Sequence, residues 1–114
     1  MKRYGAMPAE IVDQVVVLVT AASQAEAEAI ARSLVEVQLA ACVNILPIQS
    51  TYRWQGKLEQ QQEWQLLIKT RISLFAEITA HIQAMHSYDI PEIIALPIAA
   101  VAVPYLNWMA EQLK

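Results

Sequence analysis

The sequence predicts a two-layer α+β fold in the order β-α-β-β-α-β, followed by one further helix. Two alternating patterns lead to this order. Stretches rich in β-branched and aromatic residues alternate with stretches in which apolar residues recur every three or four positions. Capping and turn residues stand between these stretches, so the elements can be placed one after another along the chain.

The first strand and the first helix have clear boundaries. Residues 14–20 (QVVVLVT) form a β-branched run, which is typical of a strand buried on both faces. Ser23 stands three positions before Glu26, the spacing of a capping box at the start of a helix. Apolar side chains then share one face of that helix: Ala27, Ile30, Ala31, Leu34 and Val37.

A long hairpin is predicted next. Residues 39–54 (LAACVNILPIQSTYRW) read as a strand in which Pro47 cannot donate a ladder hydrogen bond, so we expect a bulge or an edge position there. Residues 55–57 (QGK) fit a hairpin turn, with Gly56 free to adopt positive φ. The partner strand runs through residues 63–71 (EWQLLIKTR).

The second half of the chain supplies the remaining three elements. Ser73 is the predicted N-cap of a helix that ends near Met85, and residues 93–99 (IIALPIA) form the fourth strand. Pro104 suits the first position of the last helix. Aromatic and apolar side chains are expected to share one face of this helix: Tyr105, Trp108 and Met109.

This element order is the split β-α-β arrangement of the ferredoxin-like fold. It predicts one domain over residues 13–114, preceded by a flexible tail over residues 1–12. The first two helices would cover one face of the sheet and leave the other without a cover from the same chain. The composition is 56% hydrophobic and only 17% charged, so we expect neighbouring subunits to cover that second face.

Composition also excludes several classes of protein. The net charge of −3 and the lack of a basic run argue against nucleic-acid binding. No apolar run reaches the roughly 20 residues that a membrane span requires, and the N-terminal MKRYGAMPAE lacks the apolar core of a signal peptide. A lone cysteine, Cys42, cannot form an internal disulfide. These observations predict a cytoplasmic protein without a membrane partner.

The sequence contains no complete metal or catalytic motif. His81 and His86 are five positions apart, which would separate them by about 140° around a helix. A metal site would have to combine Cys42, one histidine and distant carboxylates, whereas the alternative is that Cys42 is a small buried core residue. No nucleophile elbow or glycine-rich phosphate loop is present, so we do not predict an enzyme.

Polar side chains near aromatic ones suggest a cleft. Lys69 lies late in a strand, where a half-buried lysine needs a carboxylate partner, and the candidates are Glu59, Glu63 and Glu92. The aromatic residues that could line a cleft are Tyr52, Trp54, Tyr88, Tyr105 and Trp108. The alternative is an ion pair and aromatic packing that serve only a subunit interface.

Five segments resemble, in order and spacing, the CutA divalent-cation tolerance proteins: AACVNILP, STYRWQGKLEQ, EWQLLIKT, HSYDIPEI and YLNWM. The resemblance covers about residues 15–113. It implies a ferredoxin-like subunit in a homotrimer similar to the PII signalling proteins, with a role in tolerance to divalent cations, chiefly copper. It implies possible binding of copper or another divalent cation, with no cofactor required for folding.

The resemblance also implies site residues. The family's inter-subunit cleft maps to Tyr52, Trp54, Glu63, Lys69, Tyr88, Glu92, Tyr105 and Trp108, with His86 and Pro91 beside it. The implied metal ligands are Cys42, His86 and Glu92. Val19 stands where some relatives carry a second cysteine, so a two-thiolate copper site is not expected. Two alternatives stay open: a sensor that binds an anionic metabolite through Lys69 in the cleft, and a non-catalytic scaffold.

Overall fold

The computed structural model describes residues 13–114, so the predicted tail over residues 1–12 lies outside the described part. The strands are β1 (Gln14–Ala21), β2 (Cys42–Trp54), β3 (Lys57–Arg71) and β4 (Ile94–Pro97). The helices are α1 (Gln24–Glu36), α2 (Phe75–Met85) and α3 (Val103–Gln112), with a 3₁₀ turn at Ile72–Leu74. The predicted order of elements is confirmed.

The four strands form one antiparallel sheet in the order β2-β3-β1-β4. Its central strands are β3 and β1, which are adjacent in space although α1 and β2 separate them in sequence. This crossing is what the split β-α-β arrangement requires, and it confirms the predicted ferredoxin-like fold.

The core lies between the sheet and the first two helices. Alternate positions of β1 and β3 point toward α1 and α2, and their side chains are buried: Val15, Val17, Val19, Leu66 and Ile68. They pack with buried side chains of the two helices: Ala27, Ile30, Leu34, Ile78 and Ile82. Burial of each larger aliphatic side chain stabilises the fold by roughly 1.5–3 kcal/mol, so this layer is the main source of stability.

The opposite face of the sheet is apolar and incompletely covered. Val16, Leu18 and Leu67 are half-buried there, while Ile94 and Leu96 are 48% and 44% exposed. Neither α1 nor α2 lies on this side. The prediction that the chain leaves one sheet face without its own cover is therefore confirmed.

The β2–β3 hairpin is longer than the sheet that carries it. Gln55 and Gly56 both have positive φ, as a two-residue turn between twisted strands requires. Pro47 pairs with Trp64 within an unbroken register, so the bulge considered at Pro47 is absent; the alternative, an edge position, is correct because β2 is an edge strand. Pairing with β1 begins only at Trp64, so residues 57–63 of β3 pair with no strand other than β2 and form a two-stranded ribbon.

Local sequence signals were right at one helix start and wrong at another. The Ser23 hydroxyl accepts a hydrogen bond from the Glu26 amide at 3.1 Å, which confirms the first cap. Ser73 is not a cap, because the chain enters α2 through the 3₁₀ turn Ile72–Leu74 that contains it. That turn is held to the start of β1, where the Ile72 amide donates to the Asp13 carbonyl at 2.9 Å.

Helix α3 also differs from its prediction. Pro104 is its second residue rather than its first, still within the first turn where a missing N–H costs little. Met109 is buried in the core, whereas Tyr105 and Trp108 lie at the surface with ring centroids 5.4 Å apart. The three side chains lie on one side of α3, with Met109 at the edge that contacts the core and the two aromatic rings toward the surface.

Candidate functional site

A cleft of about 660 Å³ opens where the β2–β3 ribbon leaves the sheet. Its walls come from the end of β1, the base of the ribbon and the loop between α2 and β4. The lining residues are Thr20, Gln49, Ser50, Thr51, Tyr52, Trp54, Glu63, Tyr88, Asp89, Ile90 and Glu92. Five of the eight predicted cleft residues are among them: Tyr52, Trp54, Glu63, Tyr88 and Glu92.

Glu63 and Tyr88 form a buried pair in the cleft. Glu63 is only 5% exposed, and its Oε2 accepts a hydrogen bond from the Tyr88 hydroxyl at 2.7 Å. Burial, together with the hydrogen bond to the Glu63 carboxylate, raises the pKa of Tyr88 above its usual value. The phenol therefore stays neutral at physiological pH and acts as a donor to the carboxylate.

The His86 side chain, which is inaccessible to solvent, holds Tyr88 in place. Its Nδ1 accepts a hydrogen bond from the Tyr88 amide at 3.0 Å, and its Nε2 lies 2.7 Å from the Thr20 carbonyl. Because a carbonyl can only accept, these contacts assign the neutral tautomer with the proton on Nε2. The two rings also pack with centroids 4.8 Å apart. His86 thus ties the cleft loop to the end of β1.

Glu26 anchors the same loop to the start of α1. Its carboxylate accepts hydrogen bonds from the Ser87 amide at 2.7 Å and the Ser87 hydroxyl at 2.9 Å, and lies 3.6 Å from His86 Nδ1. Burial opposes ionisation, but the hydrogen bonds that the carboxylate accepts from Ser87 lower the pKa of Glu26. Sequence reasoning assigned Glu26 only to the helix cap and missed this second role.

Amide side chains contact two further cleft residues, Glu92 and Tyr52. Gln65 Nε2 donates to the Val19 carbonyl at 2.9 Å and approaches Glu92 Oε2 at 3.5 Å. Tyr52 accepts a hydrogen bond from Gln61 of the facing strand. Glu92 is therefore positioned by a neutral side chain and keeps its charge available to the cleft.

The charges around the cleft have one sign. Glu63, Asp89 and Glu92 line it, and no lysine or arginine is among the lining residues of the described chain. The field inside favours a positively charged occupant.

A second group of predicted site residues lies elsewhere and is called the cysteine end. It consists of Cys42, Lys69, Tyr105 and Trp108, together with Asn44, which was not predicted. Lys69 is the cross-strand partner of Cys42 and donates a hydrogen bond to Asn44. Tyr105 lies beside Cys42, and burial, with a smaller contribution from Cys42, raises the pKa of Tyr105. Within one chain, Lys69, Tyr105 and Trp108 therefore do not line the cleft.

Of the three candidate partners of Lys69, Glu92 does not reach it within the described chain. Glu92 is beside Gln65, four positions before Lys69 along β3. At about 3.3 Å per residue, that separation is about 13 Å along the strand. The two charges could meet only if they came from different chains.

The implied metal ligands are also separated. Cys42 belongs to the cysteine end, Glu92 to the cleft, and both ring nitrogens of His86 are occupied. Residues 13–114 contain no group of three or more histidine, cysteine, aspartate or glutamate side chains placed to hold a metal ion. A metal site built on these residues would need ligands from another chain.

Across residues 13–114, every helix is too short or too polar to span a lipid bilayer.

Comparison with known proteins places the chain in a family. The sequence profile of the family described as CutA1 divalent ion tolerance protein matches residues 15–112. The divalent-cation tolerance protein CutA of Thermus thermophilus is 48% identical over 97 residues, which span 84% of this chain and 94% of that protein. Protein CutA, chloroplastic, of Arabidopsis thaliana is 46% identical over 99 residues, which span 86% of this chain but 54% of that protein.

Solved structures agree with the sequence match. The periplasmic divalent cation tolerance protein CutA from Archaeoglobus fulgidus superposes with a TM-score of 0.87 at 44% identity, covering 89% of this chain and 99% of that one. CutA1 from Oryza sativa gives a TM-score of 0.87 at 43% identity over 90% of this chain and 95% of that one. By sequence and by fold, the chain belongs to the CutA1 divalent ion tolerance protein family.

Proposed function

We propose that the chain acts in divalent-cation tolerance as a homotrimeric cation-binding protein, with copper as its metal. The observation that carries the proposal is the cleft, which three carboxylates line without a basic side chain among the lining residues of the described chain. The family and its relatives are named for tolerance to divalent cations, which supports a divalent cation as the ligand.

Two features of the fold support an assembly of several chains. The uncovered sheet face exposes apolar side chains that a neighbour would bury, including Ile94 and Leu96. The β2–β3 ribbon carries a 68% exposed Leu58 and an exposed Trp54 near its tip, and a lone two-stranded ribbon is only marginally stable in water. In a closed ring of three, each chain would use the same two surfaces, so both features would be satisfied in every subunit.

Cys42, Glu92 and His86 remain the proposed metal ligands, in that order of suitability. The Cys42 thiol is half-buried and lies beside the Tyr105 phenol, and a thiolate is the ligand that copper(I) prefers. Glu92 reaches the cleft and contacts only an amide. His86 would have to give up one of its two hydrogen bonds to bind a metal.

Copper titration by calorimetry tests this proposal, with copper(II) and, under reducing conditions, copper(I). We expect Cys42→Ser to weaken copper(I) binding at least tenfold and Glu92→Gln to weaken copper(II) binding, because each removes one charged or soft ligand. Glu111→Gln, which removes the same charge from the exposed surface of α3, is the matched control. Unchanged affinity and stoichiometry in Cys42→Ser, Glu92→Gln and His86→Ala would show that these ligands are wrong.

A small-molecule sensor is the second candidate, and the size of the cleft favours it. A volume of about 660 Å³ lies within the range of roughly 300–1,000 Å³ that is usual for small-molecule sites. The earlier expectation of an anionic ligand bound by Lys69 would require that lysine to come from a neighbouring chain, because Lys69 of the same chain is at the cysteine end.

We also propose that the protein is not an enzyme and that it is cytoplasmic. Ser33 Oγ lies 2.6 Å from His81 Nε2, but in the described chain no carboxylate is recorded on the other ring nitrogen to orient the histidine as a base. This pair joins α1 to α2 and has a structural role. The cytoplasmic location is supported by the lone cysteine and by the sequence composition.

A further inference from the structure

We propose that the cleft binds an organic ammonium ion, a small molecule whose positive nitrogen lies between Glu63 and Glu92 and against the rings of Tyr52 and Trp54. This inference rests on the second candidate function, a small-molecule site, and names its ligand class. The sequence led us to consider an anionic ligand, whereas this ligand is a cation. The proposal does not depend on copper binding at Cys42.

Glu63 has no cationic partner among the described residues. The residue is only 5% exposed, and its hydrogen-bond partner within residues 13–114 is the neutral Tyr88 hydroxyl. Buried carboxylates in proteins are normally paired with a cation or hydrogen-bonded several times. Glu63 therefore has the environment of a carboxylate whose counter-ion is supplied from outside the chain.

The acidic side chains of the cleft are not arranged around a single metal ion. The described chain has no cluster of three or more acidic, cysteine or histidine side chains arranged around a metal ion, although Glu63, Asp89 and Glu92 all reach the cleft. The carboxylates are thus spread over a space of about 660 Å³ rather than gathered at one point. A larger cation that contacts several walls of the cleft at once fits this arrangement better than a bare metal ion.

The walls of the cleft also carry aromatic and apolar side chains. Tyr52 and Trp54 are at least one-third exposed and line the cleft on the ribbon side, and Ile90 adds an apolar contact from the loop. The faces of aromatic rings attract alkylammonium groups, with tryptophan the strongest. Carboxylates and aromatic rings together recognise a positive nitrogen that carries carbon substituents, and they discriminate against anions.

The loop that carries these contacts is fixed before any ligand arrives. Glu26 holds the Ser87 amide and hydroxyl, and His86 holds the Tyr88 amide, so Tyr88 and the neighbouring Asp89 are positioned by groups outside the cleft. Such preorganisation lowers the entropic cost of binding a small ligand.

The test is isothermal titration of the full chain with choline chloride and with 3,3-dimethylbutan-1-ol, the neutral molecule of the same shape. We expect choline to bind and the alcohol to bind at least tenfold more weakly, because only choline carries the charge. Glu63→Gln and Glu92→Gln should each weaken choline binding at least tenfold, and Trp54→Leu severalfold. Glu111→Gln should leave it unchanged.

Several results would overturn the proposal: no choline binding at millimolar concentration, equal binding of the alcohol, or wild-type affinity in both carboxylate variants. Stronger choline binding by Lys69→Met would also overturn it, because the cation in the cleft would then be Lys69 of a second copy. Circular dichroism confirms that each variant is folded. Cys42→Ser, which tests copper binding, should bind choline normally, so the two proposals can fail independently.

Discussion

The cleft and the cysteine end differ in how their side chains are held. The cleft depends on a chain of short hydrogen bonds in which Glu26 holds the Ser87 backbone, His86 holds Tyr88, and Tyr88 holds Glu63. At the cysteine end, Lys69 is bonded to one exposed amide, and the rings of Tyr105 and Trp108 pack in a tilted arrangement at the surface. A cleft whose side chains are held by several hydrogen bonds is suited to selecting a ligand, whereas the more exposed side chains of the cysteine end are suited to contacting another subunit.

The largest effect on the free energy of unfolding is expected at His86, which supports the cleft, and His81 provides the comparison. His86→Ala removes a side chain inaccessible to solvent, two hydrogen bonds and a ring contact, so we expect a loss of about 2–4 kcal/mol in the free energy of unfolding. His81→Ala is the matched control: His81 is half-buried with one recorded hydrogen bond, and its loss should cost about 1 kcal/mol. Urea unfolding measures both, and equal losses would contradict the supporting role given to His86.

A smaller difference is expected between two tyrosines, one in each region. Tyr88→Phe leaves the buried Glu63 carboxylate without its recorded donor, so we expect a loss of about 1–3 kcal/mol in the free energy of unfolding. Tyr105→Phe removes only a weak contact with a thiol at a 39% exposed site, and the loss should be below about 0.5 kcal/mol. Urea unfolding measures both losses. A larger loss for Tyr105→Phe than for Tyr88→Phe would contradict the supporting role given to Tyr88.

The smallest effect is a dependence on pH that belongs to the cleft alone. The pKa of Glu26 in the folded protein is lower than its ordinary value of 4.5, so its ionised form stabilises the fold. This contribution is complete above the unfolded-state value and is lost as pH falls through the folded-state value. We therefore expect the stability advantage of the wild type over Glu26→Gln to be constant near pH 7 and to shrink below about pH 4.5.

Urea unfolding at pH 7, 4.5 and 3 measures this effect, and Glu111→Gln controls for the loss of one negative charge. A wild-type advantage that grows as the solution becomes more acidic would contradict the role of the Ser87 hydrogen bonds. Choline binding measured at the same three values would show whether the loop held by Glu26 also organises the cleft.

Much of the fold could be predicted because its signals are local. The β-branched run of β1, the cap at Ser23 and the turn at Gly56 each act within a few residues. Ser73 shows the limit of this reasoning, since the same residue type that caps α1 lies inside a 3₁₀ turn when the strand runs directly into the helix.

The candidate site was harder to predict because it depends on contacts between distant segments. The sequence offered Glu59, Glu63 and Glu92 as partners of Lys69, whereas within one chain the register of β3 places Lys69 beside Cys42 and Val16. The resemblance to the family grouped eight residues into one cleft, and a single chain divides them between two regions. Glu26 was missed because its partner, Ser87, is sixty-one positions away.

The shortness of β4 has a consequence for the order in which the molecule folds. The β2–β3 hairpin closes through a two-residue turn, whereas β4 contributes four residues that pair with β1 about eighty positions earlier in the chain. Local pairings form faster than distant ones, so we expect β4 to join the sheet late. The loop leading into β4 carries Tyr88, Asp89 and Glu92, and the cleft is therefore complete only when the last strand has been added. A ligand that binds only the completed cleft would therefore stabilise the folded state relative to the unfolded state.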